Sequence, residues 1–522
     1  MNRGKRLRGL GRREFLRLAT GSAAVAALGA CACSTERKQA PRAKPNILFL
    51  MADQHRYDCL GSSGNFFIHT PNLDRIAAEG VRFCRAYTST PSCTPARSGL
   101  LTGLSPWHHG MLGYGRVAES YEVELPREVR KAGYYTFAIG KMHWFPQGSL
   151  HGFHATAVDE SGRVETPDFV SDYRKWFSQQ APELDPDATG IGWNSYRAAP
   201  YALPEELHPT FWTGQTAVDF IGKYDRAEPF MLKVSFARPH SPYEAPARFW
   251  EMYLETGLPK PVAGKWAGRY EPRSSERYDI WHGRLDMAMT LRARRGYYGS
   301  VSFIDEQIGR ILDALERRGM LDNTLIVYFA DHGDMLGDHN LWRKTYAYES
   351  SSRIPMLLRW PRAWGMDELR NTREKRPVEL RDILPTFLDA AGEQVPEGLD
   401  GMSLFELLRG GSSKPWREYL DLEHYVCYSQ TNDWNALVSD RFKYVFHAFD
   451  GSEQLFDLHN DPHELEDLSG DSRYSSQLGD WRAALADHFA ERGEPYLTGG
   501  KLAPRPGRSM LYSPNYPGAA QG

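Results

Sequence analysis

The fold is decided at Leu325-Ile326-Val327-Tyr328-Phe329-Ala330-Asp331-His332-Gly333-Asp334. Residues 325–330 form a continuous run of strand length with no charge, which suits a strand buried on both faces. The run ends on a carboxylate and an imidazole. The same arrangement occurs three more times. Residues 46–52 end at Asp53-Gln54, residues 134–139 lead into Gly140-Lys141-Met142-His143, and residues 230–236 end in Ala237-Arg238-Pro239-His240.

Helical patterns alternate with these runs. Thr70-Pro71 opens a helix with Leu73, Ile76 and Ala77 on one face. Residues 124–132 and 210–224 read as further helices. Residues 300–318 carry Ile304, Ile308, Ile311, Leu312 and Leu315 on one stripe. Strand–helix alternation implies a large, mainly parallel sheet flanked by helices. In such a sheet the strand C-termini share one edge, and ligands bind there. Asp53, Lys141, His143, His240, Asp331 and His332 should therefore meet.

A smaller antiparallel α+β domain follows. Residues 437–446 and 454–458 read as strands and 478–492 as a closing helix. The expected layout is an α/β domain over 46–414 and a C-terminal α+β domain over 415–522. Residues 150–200 and 241–290 read as irregular insertions, the first on the surface and the second around the site. Residues 354–360 suggest a strand, and 380–391 a helix interrupted by Pro385. Arg292, Arg294 and Arg295 read as a solvated helix face.

One further stretch bears chemistry: Cys93-Thr94-Pro95-Ala96-Arg97-Ser98-Gly99-Leu100-Leu101-Thr102-Gly103. Pro95 suits the first turn of a helix, where its missing N–H costs nothing. Cys93 then lies at the helix N-terminus, which lowers a thiol pKa and favours oxyanions. Arg97 lies close to the same face, one turn on. Asp53 and Asp331 are hard oxygen ligands suited to Ca²⁺ or Mg²⁺, and Gln54 and His332 can complete the shell. Lys141 and Lys344 supply positive charge for an anionic group, and His143 and His240 can move protons.

The chain has 522 residues and a formal net charge of −3. Residues 1–30 hold seven Lys/Arg and one Glu, so the remainder is more acidic than the whole. That argues against general nucleic-acid binding. Arg12-Arg13-Glu14-Phe15-Leu16 resembles a twin-arginine export signal, and Leu28-Gly29-Ala30-Cys31 a lipobox. Residues 1–30 are expected to be removed and 31–45 to form a linker. Lipidated Cys31 would tether a periplasmic or cell-surface protein to a membrane. The six cysteines do not suggest a disulfide framework, although a Cys59–Cys84 bridge stays open.

Cys-x-Pro-x-Arg followed by Leu-Thr-Gly resembles the signature of the sulfatase family, in the alkaline-phosphatase-like superfamily. The likeness runs through about residues 45–470. Gly140-Lys141-Met142-His143 is similar to the family's Gly-Lys-x-His element, and Pro239-His240 to its Pro-His element. Asp331-His332-Gly333-Asp334 resembles its second metal motif, and Lys344 with Tyr348-Glu349 its sulfate-binding segment.

The resemblance implies a formylglycine made from Cys93 by a maturation enzyme, with Cys93, Asp53, Gln54, Asp331 and His332 around Ca²⁺, Mg²⁺ or Mn²⁺. It implies attack of the formylglycine hydrate on sulfur, with His240 protonating the leaving alcohol. His143 would be the base for release of sulfate, Arg97 would hold the hydrate, and Lys141 and Lys344 would bind the sulfate. The implied substrate is a sulfated small molecule or glycan. The chain departs from many members in having Gln54 for a second acid and His332 for Asn, a pairing that resembles choline-sulfatase-like and phosphonate monoester hydrolase-like branches and some glycan sulfatases. A phosphonate monoester or phosphate diester hydrolase on the same scaffold is the alternative, and an inactive binder of sulfated glycans a third reading. Trp107-His108-His109 is read as packing. His208, Arg238 and His424 are minor candidates for substrate contact, and Asp338 and His339 for support of the metal shell.

Overall fold

The computed structural model describes residues 44–253, 257–270, 277–410, 415–507 and 510–518. Residues from Lys44 onward form one compact unit. The export signal, the lipobox and Cys31 lie outside the described residues, as does nearly all of the 31–45 linker. Among the described residues, no helix is long and apolar enough to cross a membrane.

An eight-stranded sheet organises the unit. Its order is Ala155–Val158, Tyr135–Gly140, Phe230–Pro239, Asn46–Asp53, Thr324–Ala330, Met356–Arg359, Val81–Phe83 and Thr372–Glu374. The first five are mutually parallel. Met356–Arg359 runs antiparallel to its two neighbours. The central strand shows why its sequence is apolar throughout. Leu50 stands opposite Val234 on one side and Tyr328 on the other. Side chains alternate between faces along a strand. Ile47, Phe49 and Met51 pack with Leu100, Leu384 and Phe387, whereas Leu48, Leu50 and Ala52 pack with Trp212, Ile304 and Ile308. Both faces are covered by helices, so no position on this strand tolerates charge until the sheet edge at Asp53.

Four antiparallel strands, Leu420–His424, Trp434–Val438, Phe442–His447 and Glu453–Asp457, form the smaller sheet. The run at 437–446 is thus two strands and a turn. Ser439-Asp440-Arg441 make the turn, between the buried Val438 and the half-buried Phe442.

Several local readings change. Residues 150–200 contain an edge strand of the main sheet, Ala155–Val158, and a helix, Asp172–Gln180. The strand is too short to stand out against its surroundings. The long helix starts at Met287 and runs to Arg317, with the Asp286 side chain accepting from Ala288 N at 2.8 Å. Gly296 and Gly299 mask its length in the sequence. They are there because a Cβ at Gly296 would lie 2.7 Å from the Tyr243 carbonyl, and one at Gly299 2.8 Å from Ala245.

Arg294 is not on a solvated face. It is buried and donates to Asp338 Oδ1 at 2.7 Å and to the carbonyl oxygens of Leu336 and Pro259. Pro385 does not interrupt its helix, because Ile383–Ala391 begins two residues earlier, after a separate 3₁₀ turn. Cys59, Cys84, Cys93 and Cys427 are free thiols, so no Cys59–Cys84 bridge forms.

Candidate active site

The strand ends meet as the parallel topology requires. Cys93 is the first residue of the helix Cys93–Thr102, which Gly103 closes in the left-handed region at φ 72°. Its Sγ lies 3.2 Å from His332 Nε2, 3.3 Å from Lys344 Nζ and 3.8 Å from Asp53 Oδ1. Arg97, one turn on, spans the two aspartates. Its Nη2 is 3.1 Å from Asp53 Oδ2 and 2.9 Å from Asp331 Oδ2, and its Nη1 donates to the Lys141 carbonyl at 2.7 Å. The guanidinium thus fixes the two carboxylates relative to each other and to the neighbouring strand end.

Donor atoms of Asp53, Cys93, Asp331 and His332 all lie within 4.8 Å of one another, and all four residues are buried. His332 Nδ1 faces the Gly333 carbonyl at 2.9 Å, which can only accept. Nδ1 therefore carries a proton, and Nε2 faces the cluster. Two hard carboxylates and an oriented imidazole fit a divalent cation. Gln54 is tied at both ends of its amide. Lys344 Nζ donates to its oxygen at 2.8 Å, and its nitrogen donates to Asp334.

Charge is concentrated here. Lys141 Nζ is 2.6 Å from Asp53 Oδ2 and 4.9 Å above the Trp193 ring. Burial raises the Asp53 carboxyl, but Lys141, His240, Arg97 and Lys344 outweigh it and hold the group well below the ordinary range. Burial and Asp53 push the Cys93 thiol up. Lys344, Lys141 and His332 pull it down, and the net position is below an ordinary thiol. Burial, then Lys344 and Lys141, hold His240 neutral. Burial, then Arg163 and Lys141, do the same for His143.

The two histidines are not equivalent. His240 Nδ1 donates to the Ser241 carbonyl at 2.9 Å, which leaves Nε2 as its proton-transfer atom. His143 Nε2 is engaged by Arg163 Nη1, and a guanidinium can only donate. The neutral ring then carries its proton on Nδ1, which is buried and has no protein partner.

A cavity opens onto Cys93, His143, His240 and Lys344. Trp193, Tyr114 and Tyr428 supply aromatic walls. Trp193 stacks on the His240 ring at 4.1 Å between centroids. These walls and Arg163 carry no motif. Trp193 and Arg163 lie in the irregular 150–200 segment, where only an exposed-looking aromatic beside glycines hints at a role.

The minor candidates separate. His424 Nε2 meets Ser92 Oγ at 2.9 Å, at the start of the Cys93 helix. His208 Nδ1 accepts from Thr210 N and starts a helix. Arg238 pairs with Glu244 in an adjoining cavity. Asp338 joins Arg56 and Arg294, away from the cation cluster, and His339 packs on Trp266. His108 bridges Asp400 and Glu491, whereas His109 is buried and accepts from Met111 N.

The chain matches the family model described as Sulfatase over residues 45–393, and that described as N-sulphoglucosamine sulphohydrolase, C-terminal, over 337–490. It is 39% identical over 480 residues to an arylsulfatase of Clostridium perfringens (strain 13 / Type A), with 88% of this chain and 97% of the relative covered. It is 32% identical over 451 residues to a choline-sulfatase of Rhizobium meliloti (strain 1021), with 82% and 83% covered. A solved phosphonate monoester hydrolase of Agrobacterium radiobacter has a TM-score of 0.72 at 26% identity, covering 88% of this chain and 99% of that one.

Proposed function

This chain belongs to the sulfatase family and is a sulfuric ester hydrolase, and from that premise we propose that it uses a formylglycine made from Cys93 beside a divalent cation, Ca²⁺ first and Mg²⁺ or Mn²⁺ as alternatives. The substrate in this reading is the sulfate ester of a small molecule or a glycan. One observation carries it: Cys93 Sγ, at a helix N-terminus, lies where both strand-end aspartates, His332 and Lys344 converge.

Asp53, Asp331 and His332 would hold the cation, which would draw charge from a sulfate oxygen. The formylglycine hydrate would supply the nucleophilic oxygen. The remaining work falls to the chain's own groups. Lys141 and Lys344 neutralise the other sulfate oxygens. Arg97 keeps the two carboxylates in register. A sulfate ester brings negative charge into a site where burial, with Lys344 and Lys141, holds His240 neutral, and this shifts His240 toward imidazolium. Its Nε2 can then protonate the leaving alcohol. His143 presents Nδ1–H as a donor while Arg163 occupies Nε2, and it can take up a proton only when Arg163 withdraws.

The test combines two measurements. The mass of the Cys93 peptide from cells that contain the maturation enzyme should show the aldehyde, and the purified enzyme should turn over 4-nitrophenyl sulfate. A thiol in every molecule would overturn the nucleophile. The similarity to the phosphonate monoester hydrolase supports a second reading, namely cleavage of phosphonate monoesters or phosphate diesters. A kcat/KM for bis(4-nitrophenyl) phosphate or 4-nitrophenyl phenylphosphonate above that for the sulfate would favour it. The 39% identity to an arylsulfatase supports the sulfate ester. Residues 1–31 support export by the twin-arginine route and anchoring through Cys31. Loss of membrane-associated protein in Arg12→Lys/Arg13→Lys would bear this out.

A further inference from the structure

The reaction cavity adjoins a second and larger one. Trp193 lines both. The second cavity is walled by Asp159, Arg163, Arg174 and Arg238, which carry polar atoms that no protein group satisfies. Arg238 is 4% exposed and donates from Nη2 to Glu244 at 2.5 Å, but its Nε and Nη1 have no partner. Asp159 is fully buried. Its Oδ1 accepts from Ser161 N at 2.8 Å, and its Oδ2 accepts from nothing. The Nε atoms of Arg163 and Arg174 and the Ser161 hydroxyl are also unpartnered.

Buried polar groups are normally paired, because leaving them unpaired is costly. So many around one space point to a polar occupant. The mixture identifies its chemistry. A second sulfate or phosphate would take donors only, and the free Asp159 oxygen would oppose it. Each guanidinium is moreover already balanced: Arg238 by Glu244, Arg174 by Asp187, and Arg163 by Glu160 and Glu165. Hydroxyl groups both donate and accept, so they satisfy donors and acceptors in one wall. An indole at the junction suits a ring with an apolar face.

We propose that this cavity is a subsite for a second sugar ring, joined to the ring that carries the sulfate, so that the substrate is a sulfated oligosaccharide. The assignment rests on the sulfate-ester reading above. Trp193 then stands where the two rings join, and Arg238 and Asp159 read the hydroxyls of the outer one.

The test uses the full-length matured enzyme. Hexose and hexosamine monosulfates with the ester at O2, O3, O4 or O6 are compared with disaccharides in which each is extended by one ring, beside 4-nitrophenyl sulfate. For one pair at least, kcat/KM should be about tenfold higher for the disaccharide, the scale of discrimination that a set of buried hydrogen bonds provides. That gain should largely vanish in Arg238→Met. Because Arg238 is two residues from His240, Asp159→Asn serves as the second variant and should show the same loss. Equal values across every pair, or a gain that survives in both variants, would overturn the subsite. Turnover of 4-nitrophenyl sulfate with no sugar sulfate cleaved would overturn the subsite alone. Failure to cleave any sulfate ester with formylglycine present would overturn the underlying reading as well.

Discussion

His424 Nε2 lies 2.9 Å from the Oγ of Ser92, the residue immediately before the helix that starts at Cys93. His424 Nδ1 faces the Tyr425 carbonyl at 2.5 Å, so it carries the proton, and Nε2 accepts from the serine hydroxyl. Burial keeps the ring neutral, its pKa held down to about 3. Ser92 makes no side-chain cap to the helix, although serine is a favoured capping residue; Pro95, the third helical residue, has no N–H, so Thr94 N is the donor that a Ser92 cap would take. The last residue of a strand in the smaller sheet thus draws a capping group away from the helix end that faces the reaction cavity. This leaves that end available to an anion.

The first prediction follows from that contact. In His424→Ala the Ser92 hydroxyl is free to cap the helix. Loss of the buried hydrogen bond should lower stability by about 1–3 kcal/mol. Inhibition of turnover by inorganic sulfate should weaken several-fold, by about the 0.5–2 kcal/mol that a cap is worth. The double variant Ser92→Ala/His424→Ala should recover sulfate affinity while remaining destabilised. Unchanged inhibition in His424→Ala would show that the contact is only structural.

Cys93→Ala should abolish turnover while the protein stays folded. The side chain is buried against charged groups that hold one another in place through Arg97. Circular dichroism and the thermal midpoint check the fold, and 4-nitrophenyl sulfate checks the activity. Retained turnover would count against Cys93 as the source of the nucleophile.

Asp331→Asn keeps the shape of the side chain but removes its charge. Asp331 Oδ1 accepts from Gln54 N at 3.0 Å and from His332 N at 3.1 Å, and Oδ2 accepts from Arg97 Nε at 3.0 Å. Loss of a direct ligand should reduce metal affinity by at least the roughly 10–100-fold seen for supporting residues. Elemental analysis after dialysis measures it. Metal content equal to the unaltered protein would refute the ligand assignment.

His108 should make stability depend on pH. Hydrogen bonds to Asp400 first, then to Glu491, raise its pKa from 6.5 to about 9. A pKa raised by folding contributes stability that is complete below the unfolded value, near 6.5, and is lost as pH rises through about 9. The difference in urea midpoint between the unaltered protein and His108→Gln should therefore shrink across that interval. A difference that stays constant would show that the half-exposed pair with Asp400 contributes little.

Asp338 should matter more than any exposed pair. It accepts from Arg56 Nη2 at 2.8 Å, Arg294 Nη2 at 2.7 Å and Ser350 Oγ at 2.9 Å, all in the interior. Arg56 also donates to the carbonyl oxygens of Asp334 and Met335, the segment after the Asp331-His332 pair. Asp338→Ala removes the carboxylate paired with the buried Arg294 and leaves Arg56 with Asp58 alone, and should cost about 3–5 kcal/mol in denaturant unfolding. A cost below about 1 kcal/mol would mean that water replaces the carboxylate, as it does at exposed ion pairs.

Much of the architecture was legible because a parallel strand covered on both faces must be apolar along its whole length. Asn46–Asp53, Phe230–Pro239 and Thr324–Ala330 announce themselves in this way, and the polar residues at their ends mark the sheet edge. The edge strand Ala155–Val158 did not, because four residues with one covered face leave too little pattern. Arg294 was misread for a different reason. Its helix position looks exposed, and only Asp338, 44 residues further on, makes a buried guanidinium tolerable.

From the sequence alone came the doubly covered sheet, the helix that begins at Cys93, and the meeting of Asp53, Asp331 and His332. These follow from local periodicity together with one topological rule, whereas the place of Cys93 beside them was implied by the resemblance of its segment to the sulfatase signature. Tertiary structure decided which nitrogen of each histidine is free, which guanidinium faces His143, and that Trp193 stands between two cavities. Those properties are set by contacts between residues far apart in the chain, such as Ser92 and His424, 332 positions apart. No periodicity encodes such pairs, because only the packing of finished elements brings them within hydrogen-bond reach.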